Sequence, residues 1–334
     1  MKRLAITMGD PGGIGPEIIV RAHMSPSVRK RCIPVVIGDP AVMQEAVGLM
    51  TPSPKIITVR SPREARPLRD TIHMIDVGRS VRYKKGKPTP EGGTACASYI
   101  KKAIELALKK EVDGIVTAPI SKEALKMAGL PWPGHTEMLS ELTKTRDYAM
   151  VLIGGHLRVI LVTIHTALRN VPALITKQKV LKTIRLAQKA CSMLDIKNPR
   201  IAVAGLNPHA GEAGIFGDEE IRKIAPAIKA AADEGIPVCG PYPPDTVFHK
   251  AYKGKVDIVV CMYHDQGLIP LKMIAFDTGV NMTVGLPFVR TSPDHGTAYD
   301  IAWKGVANPS SMVEAIKVAA HIGTSTLPEQ ENSR

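Results

Sequence analysis

Short apolar runs bounded by glycine, proline or charge recur along the chain. They alternate with stretches whose apolar residues return every three or four positions. Residues 4–8 (LAITM), 33–38 (IPVVIG), 56–59, 72–76, 114–118 (GIVTA), 149–153, 158–164, 200–205 and 256–262 have the length and β-branched content of buried strands. Helical spacing predicts a helix opened by Pro16 and further helices over 41–47, 94–110, 177–194 and 219–234. Residues 78–93, rich in Gly, Pro and Lys, read as a long loop, and residues 327–334 as a frayed end. This alternation predicts the α/β class with a mostly parallel sheet.

The stretch from Cys261 to Trp303 departs from the pattern. It sets His, Asp, Gln, Lys, Asn and Arg among short apolar runs and glycines. Burying so many polar and ionisable groups is costly unless a ligand or metal uses them, so this segment is the expected centre of function.

Composition narrows the reading. The 334 residues are 44% apolar, enough for a real core in one large domain or two of medium size. No apolar run is long enough to span a membrane. The opening MKRLAITM reads as a first buried strand rather than an export signal, which makes the cytoplasm the expected location. Cys32, Cys96, Cys191, Cys239 and Cys261 are scattered without a CxxC pair and read as small buried side chains. The net charge of +13 is dispersed and aromatics are only 4%, which argues against nucleic acid and for a field that attracts small anions.

Candidate chemistry collects at strand ends. His165, His209 and His264 each follow an apolar strand, where α/β sheets bind ligands, and three imidazoles there could hold a divalent metal. Each could equally be a hydrogen-bonded structural histidine. His135 and Thr136 in Gly-His-Thr-Glu suit either an anion at a helix start or a plain N-cap at Thr136. Lys272, Asn281 and Arg290 lie in apolar surroundings that demand an anion, from the protein or from a substrate. Asp245 and Asp265 are the candidate general bases, with Asp245 open to a helix-capping role after Pro243 and Pro244. The loop GDPGGIGPE has glycines at 9, 12, 13 and 15 and does not match the dinucleotide fingerprint.

The segments TMGDPGGIGPEI, PGHTE, GLNPHAGEAGIFGDEE, GPYPPDTVF, MYHDQGLIPLK and GVNMTVGLPFVRTSPDHGTAYDIA, in this order, resemble the 4-hydroxythreonine-4-phosphate dehydrogenase family. TAPISKEAL, SELTKTRDYAMVL, PPDTVF and DIAWKG look closest to its D-threonate/D-erythronate 4-phosphate branch. GDPGGIGPE and HGTAYDIAWKGVANP also resemble segments of the β-decarboxylating dehydrogenases of isocitrate and isopropylmalate, with Tyr299 and Trp303 as departures where those relatives carry Pro and Gly.

The resemblance implies two α/β domains with a cleft between them, residues 1–122 plus 268–334 and residues 123–267. It implies metal ligands at His165, His209 and His264, holding Zn, Co, Mg, Mn or Ni. Substrate contacts are implied at His135, Thr136, Lys272, Asn281 and Arg290. NAD is implied as cofactor, met by Gly12, Gly13, His295, Gly296 and by Asp300 at the ribose. Proton transfer is expected from Asp245 or Asp265 with Lys272. A homodimer is implied, one histidine and a cationic group coming from the neighbour. The expected reaction is oxidation and decarboxylation of a 4-phosphorylated four-carbon hydroxy acid, 4-phospho-D-threonate or D-erythronate, to dihydroxyacetone phosphate and CO2. The alternatives are 4-phosphohydroxy-L-threonine as substrate, or a metal-dependent hydrolase.

Overall fold

The computed structural model describes residues 1–78 and 81–322; the expected frayed end at 327–334 lies outside them. The chain divides into two compact units, one formed by Met1–Arg146 with the stretch from Leu286, the other by Asp147–Gly285. The boundaries therefore fall later than the expected 122/123 and 267/268. Residues 123–146 belong with the first unit, and 268–285 with the second.

The first unit is built on strands β1 (Lys2–Thr7), β2 (Cys32–Gly38), β3 (Lys55–Thr58), β4 (Thr71–Asp76), β5 (Gly114–Thr117) and β12 (Val289–Pro293), in the order β3-β4-β2-β1-β5-β12. All these pairings are parallel, with Ile6 opposite Val36 and Arg290 opposite Ile115. β2 and β5 are buried throughout, as a strand covered on both faces must be.

Crossover helices carry their caps in the sequence. Asp39 accepts from Ala41 N at 2.8 Å to open the helix Pro40–Val47. Thr89 accepts from Gly92 N at 3.0 Å to open Pro90–Leu108. That helix starts ahead of the expected Thr94 because Thr89-Pro90 is a cap followed by a first-turn proline. Its glycines are required by packing: a Cβ at Gly93 would overlap the Ala124 carbonyl of the neighbouring helix Lys122–Met127.

The second unit contains β6 (Ala149–Gly154), β7 (Leu157–Leu161), β8 (Ile201–Ala204), β9 (Val238–Tyr242), β10 (Ile258–Cys261) and β11 (Val280–Val284), in the order β11-β6-β7-β10-β8-β9. The sheet is mostly parallel, as expected, with antiparallel pairing at one end of this unit. β6 runs antiparallel to both β7 and β11. The cause is the two-residue turn between β6 and β7, where Gly155 takes φ +56°. The core of this unit joins Leu152, Val159 and Leu161 to Ala202, Val247, Val259, Cys261 and Leu271.

Helices Lys177–Met193, Pro244–Tyr252 and His264–Ala275 belong to this unit. The last was not foreseen, since Gly267 and Pro270 both disfavour a helix interior. Packing overrides that preference: a Cβ at Gly267 would come 3.0 Å from Cys261 Sγ and 3.2 Å from Leu161. Among the described residues no helix is long and apolar enough to cross a membrane. Cys32, Cys96, Cys191 and Cys261 are buried, whereas Cys239 is exposed on β9.

Candidate active site

In the second unit three strand ends carry the candidate histidines. His165 follows β7, His209 follows β8, and His264 is the first residue of the helix after β10. His165 and His264 lie side by side, ring centroids 5.6 Å apart, a spacing that lets two imidazoles reach one cation at metal–nitrogen distances of about 2.0–2.1 Å. Asp265 Oδ1 sits 2.7 Å from His264 Nδ1; a proton on Nδ1 shared with Asp265 leaves the Nε2 lone pair for a ligand, the usual arrangement behind a ligating histidine. His209 is not gathered with them; its ring lies 6.0 Å from that of Phe216. Among the described residues no three His, Cys, Asp or Glu side chains form a metal-holding group. The residues of one chain thus fit a cation as a pair of ligands.

Two residues that the sequence reading passed over hold these ends in place. Thr163 Oγ1 donates to Met262 O at 2.7 Å, tying the segment before His165 to the one before His264. The Gln266 amide accepts from Met262 N at 2.6 Å and donates to Gly205 O at 2.8 Å, which joins the ends of β10 and β8. Thr163 and Gln266 are both buried.

The chain around His209 is unusual. His209, Ala210, Gly211, Glu212 and Ala213 all have positive φ, from 40° to 81°. Each L-residue held this way costs about 1–2 kcal/mol, so the turn persists only where its surroundings impose it. The buried Glu220 carboxylate accepts from Leu206 N at 2.7 Å, Asn207 N at 2.8 Å and Asn207 Nδ2 at 2.9 Å.

The first unit holds a buried cationic group. Arg290 on β12 is 1% exposed, and its Nη2 donates to Thr117 Oγ1 at 2.7 Å where β5 ends. Burial lowers its pKa to about 10, opposed by the Glu137 carboxylate, so it stays charged at neutral pH. His135 begins the helix His135–Leu142, whose N-cap is Gly134; Thr136 therefore lies inside the first turn and is not the cap. Burial, and then the Arg290 charge, push the His135 pKa well down. Its buried Nε2 has no hydrogen-bond partner in the protein. A neutral imidazole and a desolvated guanidinium near each other suit an anion that brings its own charge and acceptors.

The remaining candidates are more dispersed. Lys272 is half-buried with Nζ 5.5 Å above the Phe276 ring. Asn281 on β11 donates to Met150 Sδ at 3.0 Å, and its buried Oδ1 has no partner. Asp245 is exposed in the first turn of Pro244–Tyr252 and makes no side-chain cap, though its charge suits the helix N-terminus.

The glycine loop and the 295–305 segment are locked together. Tyr299 donates to Asp10 Oδ2 at 2.7 Å, and Trp303 Nε1 donates to Pro11 O at 2.9 Å. Buried Glu17 accepts from the backbone N–H of Trp303, and from that of Gly305 at 3.0 Å. Tyr83 stacks on Trp303 at 5.5 Å. Tyr299 and Trp303, the two departures from the related segments, are thus the residues that fasten this loop. Gly12 and Gly13 are explained by chain packing: a Cβ would meet Lys84 O and Lys87 O at 2.6 Å, or Thr297 at 3.0 Å. His295 Nδ1 lies 3.1 Å from Gly296 O, Gly296 has open space where a Cβ would stand, and Asp300 is exposed.

Comparison with known proteins adds a lineage to this geometry. The profile of the family described as pyridoxal phosphate biosynthetic protein PdxA matches residues 30–319. A 4-hydroxythreonine-4-phosphate dehydrogenase of Desulforapulum autotrophicum is 48% identical over 97% of this chain and 96% of its own. A D-threonate 4-phosphate dehydrogenase of Salmonella typhimurium is also 48% identical, over 96% and 99%. The 4-hydroxythreonine-4-phosphate dehydrogenase structure from Klebsiella pneumoniae superposes with a TM-score of 0.88 at 44% identity, covering 96% of this chain and 99% of that one. A family profile spanning most of the chain, and relatives close to half identical along nearly all of it, place the chain in the PdxA family.

Proposed function

We propose that this protein is an NAD-dependent dehydrogenase that oxidises and decarboxylates a 4-phosphorylated four-carbon hydroxy acid, with 4-phospho-D-threonate, or its D-erythronate epimer, giving dihydroxyacetone phosphate and CO2. The observation that carries the reading is the buried Arg290 beside a neutral His135: a desolvated cation and an unpartnered imidazole nitrogen are what a phosphorylated acid would need. The dehydrogenase names of the relatives support the class of reaction. They set the hydrolase alternative aside.

The chain's own residues have definable tasks. Arg290 with Thr117 and His135 binds the anionic end of the substrate, and Thr136, Lys272 and Asn281 add polar contacts. Asp265 fixes the orientation of His264. The chemistry a divalent cation supplies when bound at His165, His209 and His264 is to acidify an alcohol and polarise the carbonyl that replaces it; Zn, Co, Mg, Mn and Ni all suit such ligands. Asp265 or Asp245, with Lys272, would take the proton of the C3 hydroxyl, and NAD, when bound, would supply the hydride acceptor. His295, Gly296 and Asp300 would hold the adenosine end of that cofactor, with Gly12 and Gly13 letting the chain pack close behind this loop, the Asp300 carboxylate favouring free ribose hydroxyls over a 2′-phosphate.

A homodimer in the cytoplasm completes the proposal. One face of the helix His264–Ala275 and the residue after it carries Asp265, Ile269, Met273 and Phe276 exposed, with half-buried Lys272 among them at helical spacing. Met273 is 83% exposed and Phe276 73%. Large apolar side chains flanking candidate site residues mark a surface that a second copy would cover, bringing the third metal ligand from across the interface.

A second reading has its own support: relatives including one 50% identical in Trichlorobacter lovleyi are named for 4-hydroxythreonine 4-phosphate. The two substrates differ in a hydroxyl or an amine at C2. The deciding experiment is turnover of 4-phospho-D-threonate, 4-phospho-D-erythronate and 4-phosphohydroxy-L-threonine with NAD and each divalent metal, following NADH and CO2. Preference for the amino acid would establish the second reading, and no NADH from any of them would overturn both.

A further inference from the structure

We infer that Glu220 is a positioning residue for His209. Neither its carboxylate nor Asn207, which it holds, takes part in the reaction; their task is to impose the left-handed turn that presents the His209 imidazole. The inference deepens the proposed function, since it rests on His209 serving as a metal ligand.

The argument begins with the backbone. A run of non-glycine residues at positive φ does not hold itself up, because each L-side chain crowds its own carbonyl there. His209, Ala210, Glu212 and Ala213 all pay this cost, with Gly211 between them at φ +81°. Backbone bonds from Ala210 N to Asn207 O at 3.1 Å, Ile215 N to Glu212 O at 3.2 Å and Phe216 N to Gly211 O at 3.2 Å close the turn locally, and the residues it starts from carry a further restraint from outside it.

Glu220 supplies it. One carboxylate oxygen accepts from both Leu206 N and Asn207 N, and the other from Asn207 Nδ2. Asn207 Nδ2 also reaches Glu219 Oε2 at 2.8 Å. The chain makes room for the carboxylate: a Cβ at Gly205 would stand 3.0 Å from one oxygen, and one at Gly211 would stand 2.8 Å from the other. Glu220 is 3% exposed and opens a π-helical turn, Glu220–Ile224, a widened geometry that often accompanies functional positions. A carboxylate buried this deeply would be costly if it were idle. Here it fixes the two residues from which the left-handed turn departs, and the third residue from Asn207 is His209 itself, counting inclusively.

The test uses the full-length protein stripped with chelator and titrated with Co2+, following affinity by calorimetry and ligand geometry by the visible absorption of the bound ion. Melting of the metal-free protein is recorded alongside. Glu220→Gln keeps an oxygen for the two backbone N–H groups but sets an amide donor against Asn207 Nδ2; Glu220→Ala removes every acceptor. The expected result is Co2+ affinity weakened about 10- to 100-fold, with Glu220→Gln between wild type and Glu220→Ala, and an altered absorption spectrum at saturation. Where Glu220→Ala fails to fold, Asn207→Ala takes its place and is expected to weaken affinity in the same direction.

His209→Ala separates the inference from the reading beneath it. If His209→Ala loses Co2+ while Glu220→Gln and Asn207→Ala bind it as wild type does, with only a lower melting temperature, Glu220 is structural and the inference is overturned. If His209→Ala itself binds Co2+ with wild-type affinity and spectrum, the metal role of His209 fails, and the inference falls with it.

Discussion

Tyr299 donates its phenolic hydrogen to Asp10 Oδ2 at 2.7 Å across a sequence separation of 289 residues. Burial raises the Asp10 pKa, and the hydrogen bonds from Tyr299 and Gly12 N restrain that rise. A folded pKa above the unfolded one means stability is lost as pH rises through the folded value. Tyr299→Phe removes one restraint, so the Asp10 pKa rises further. The variant should be less stable at pH 7, by about 1.5–3 kcal/mol for a hydrogen bond to a charged group, and the deficit should shrink as pH falls through the Asp10 titration. Urea unfolding at pH 7 and near pH 4 checks this; an equal deficit at both would break the link to Asp10.

Arg290→Lys keeps a charge but gives up the planar donor array. KM for the phosphorylated acid should rise by about 10- to 150-fold, the equivalent of roughly 1.5–3 kcal/mol for a charge-assisted bond, with KM for NAD little changed. Steady-state kinetics with each reactant varied in turn would show it, and an unchanged substrate KM would remove Arg290 from the anion site.

His23, 4% exposed on the helix Gly15–Met24, has its pKa lowered to about 4, first by burial. His73 on β4 is lowered as well, again by burial. A histidine depressed in the folded state favours folding while neutral and opposes it once protonation begins. Stability contributed this way is intact above the unfolded value of about 6.5 and is lost as pH falls toward 4. His23→Phe should flatten the stability profile in that window. Denaturation midpoints at pH 7 and pH 5 would reveal it, and a wild-type slope in the variant would point to other groups.

Asp300→Lys exchanges a carboxylate for a cation on an exposed loop position. The ratio of kcat/KM for NAD over NADP should fall by an order of magnitude or more, since a 2′-phosphate is repelled by the first residue and attracted by the second. A ratio unmoved by the change would take the 295–300 loop away from the ribose.

Phe276→Asp places a charge at an exposed aromatic position bordering Met273 and Ile269. It should shift the protein toward monomer in sedimentation and abolish turnover together with it. A fully dimeric, active variant would locate the dimer contact elsewhere.

Much of this architecture was legible because alternation of strand and helix signals is local. Every strand of the first unit up to β5 coincides with an apolar run in the sequence. The helix His264–Ala275 was not, since Pro270 and Gly267 speak against it locally and only contact with Cys261 and Leu161 explains it. The candidate histidines were found from their positions after apolar runs, but Thr163, Gln266 and Glu220 were not: their meaning lies in hydrogen bonds to residues brought near by folding. HDQG and GDEE did hold a faint signal, a polar residue next to a candidate ligand or a paired acid after a glycine-rich turn. Thr136 was open to an N-cap reading because a residue type that suits the first turn also suits the cap; Gly134 takes that place instead.

Strand β12 lies beside β5, and Arg290 meets Thr117 across 173 residues of chain. The whole of Asp147–Gly285 is synthesised between them. On the ribosome, then, the second unit emerges as an unbroken stretch, whereas the first must wait with β5 uncovered on one edge until β12 arrives. The anion site is therefore among the last features to form, and a chain truncated before Val289 would lack it however well its earlier strands had folded.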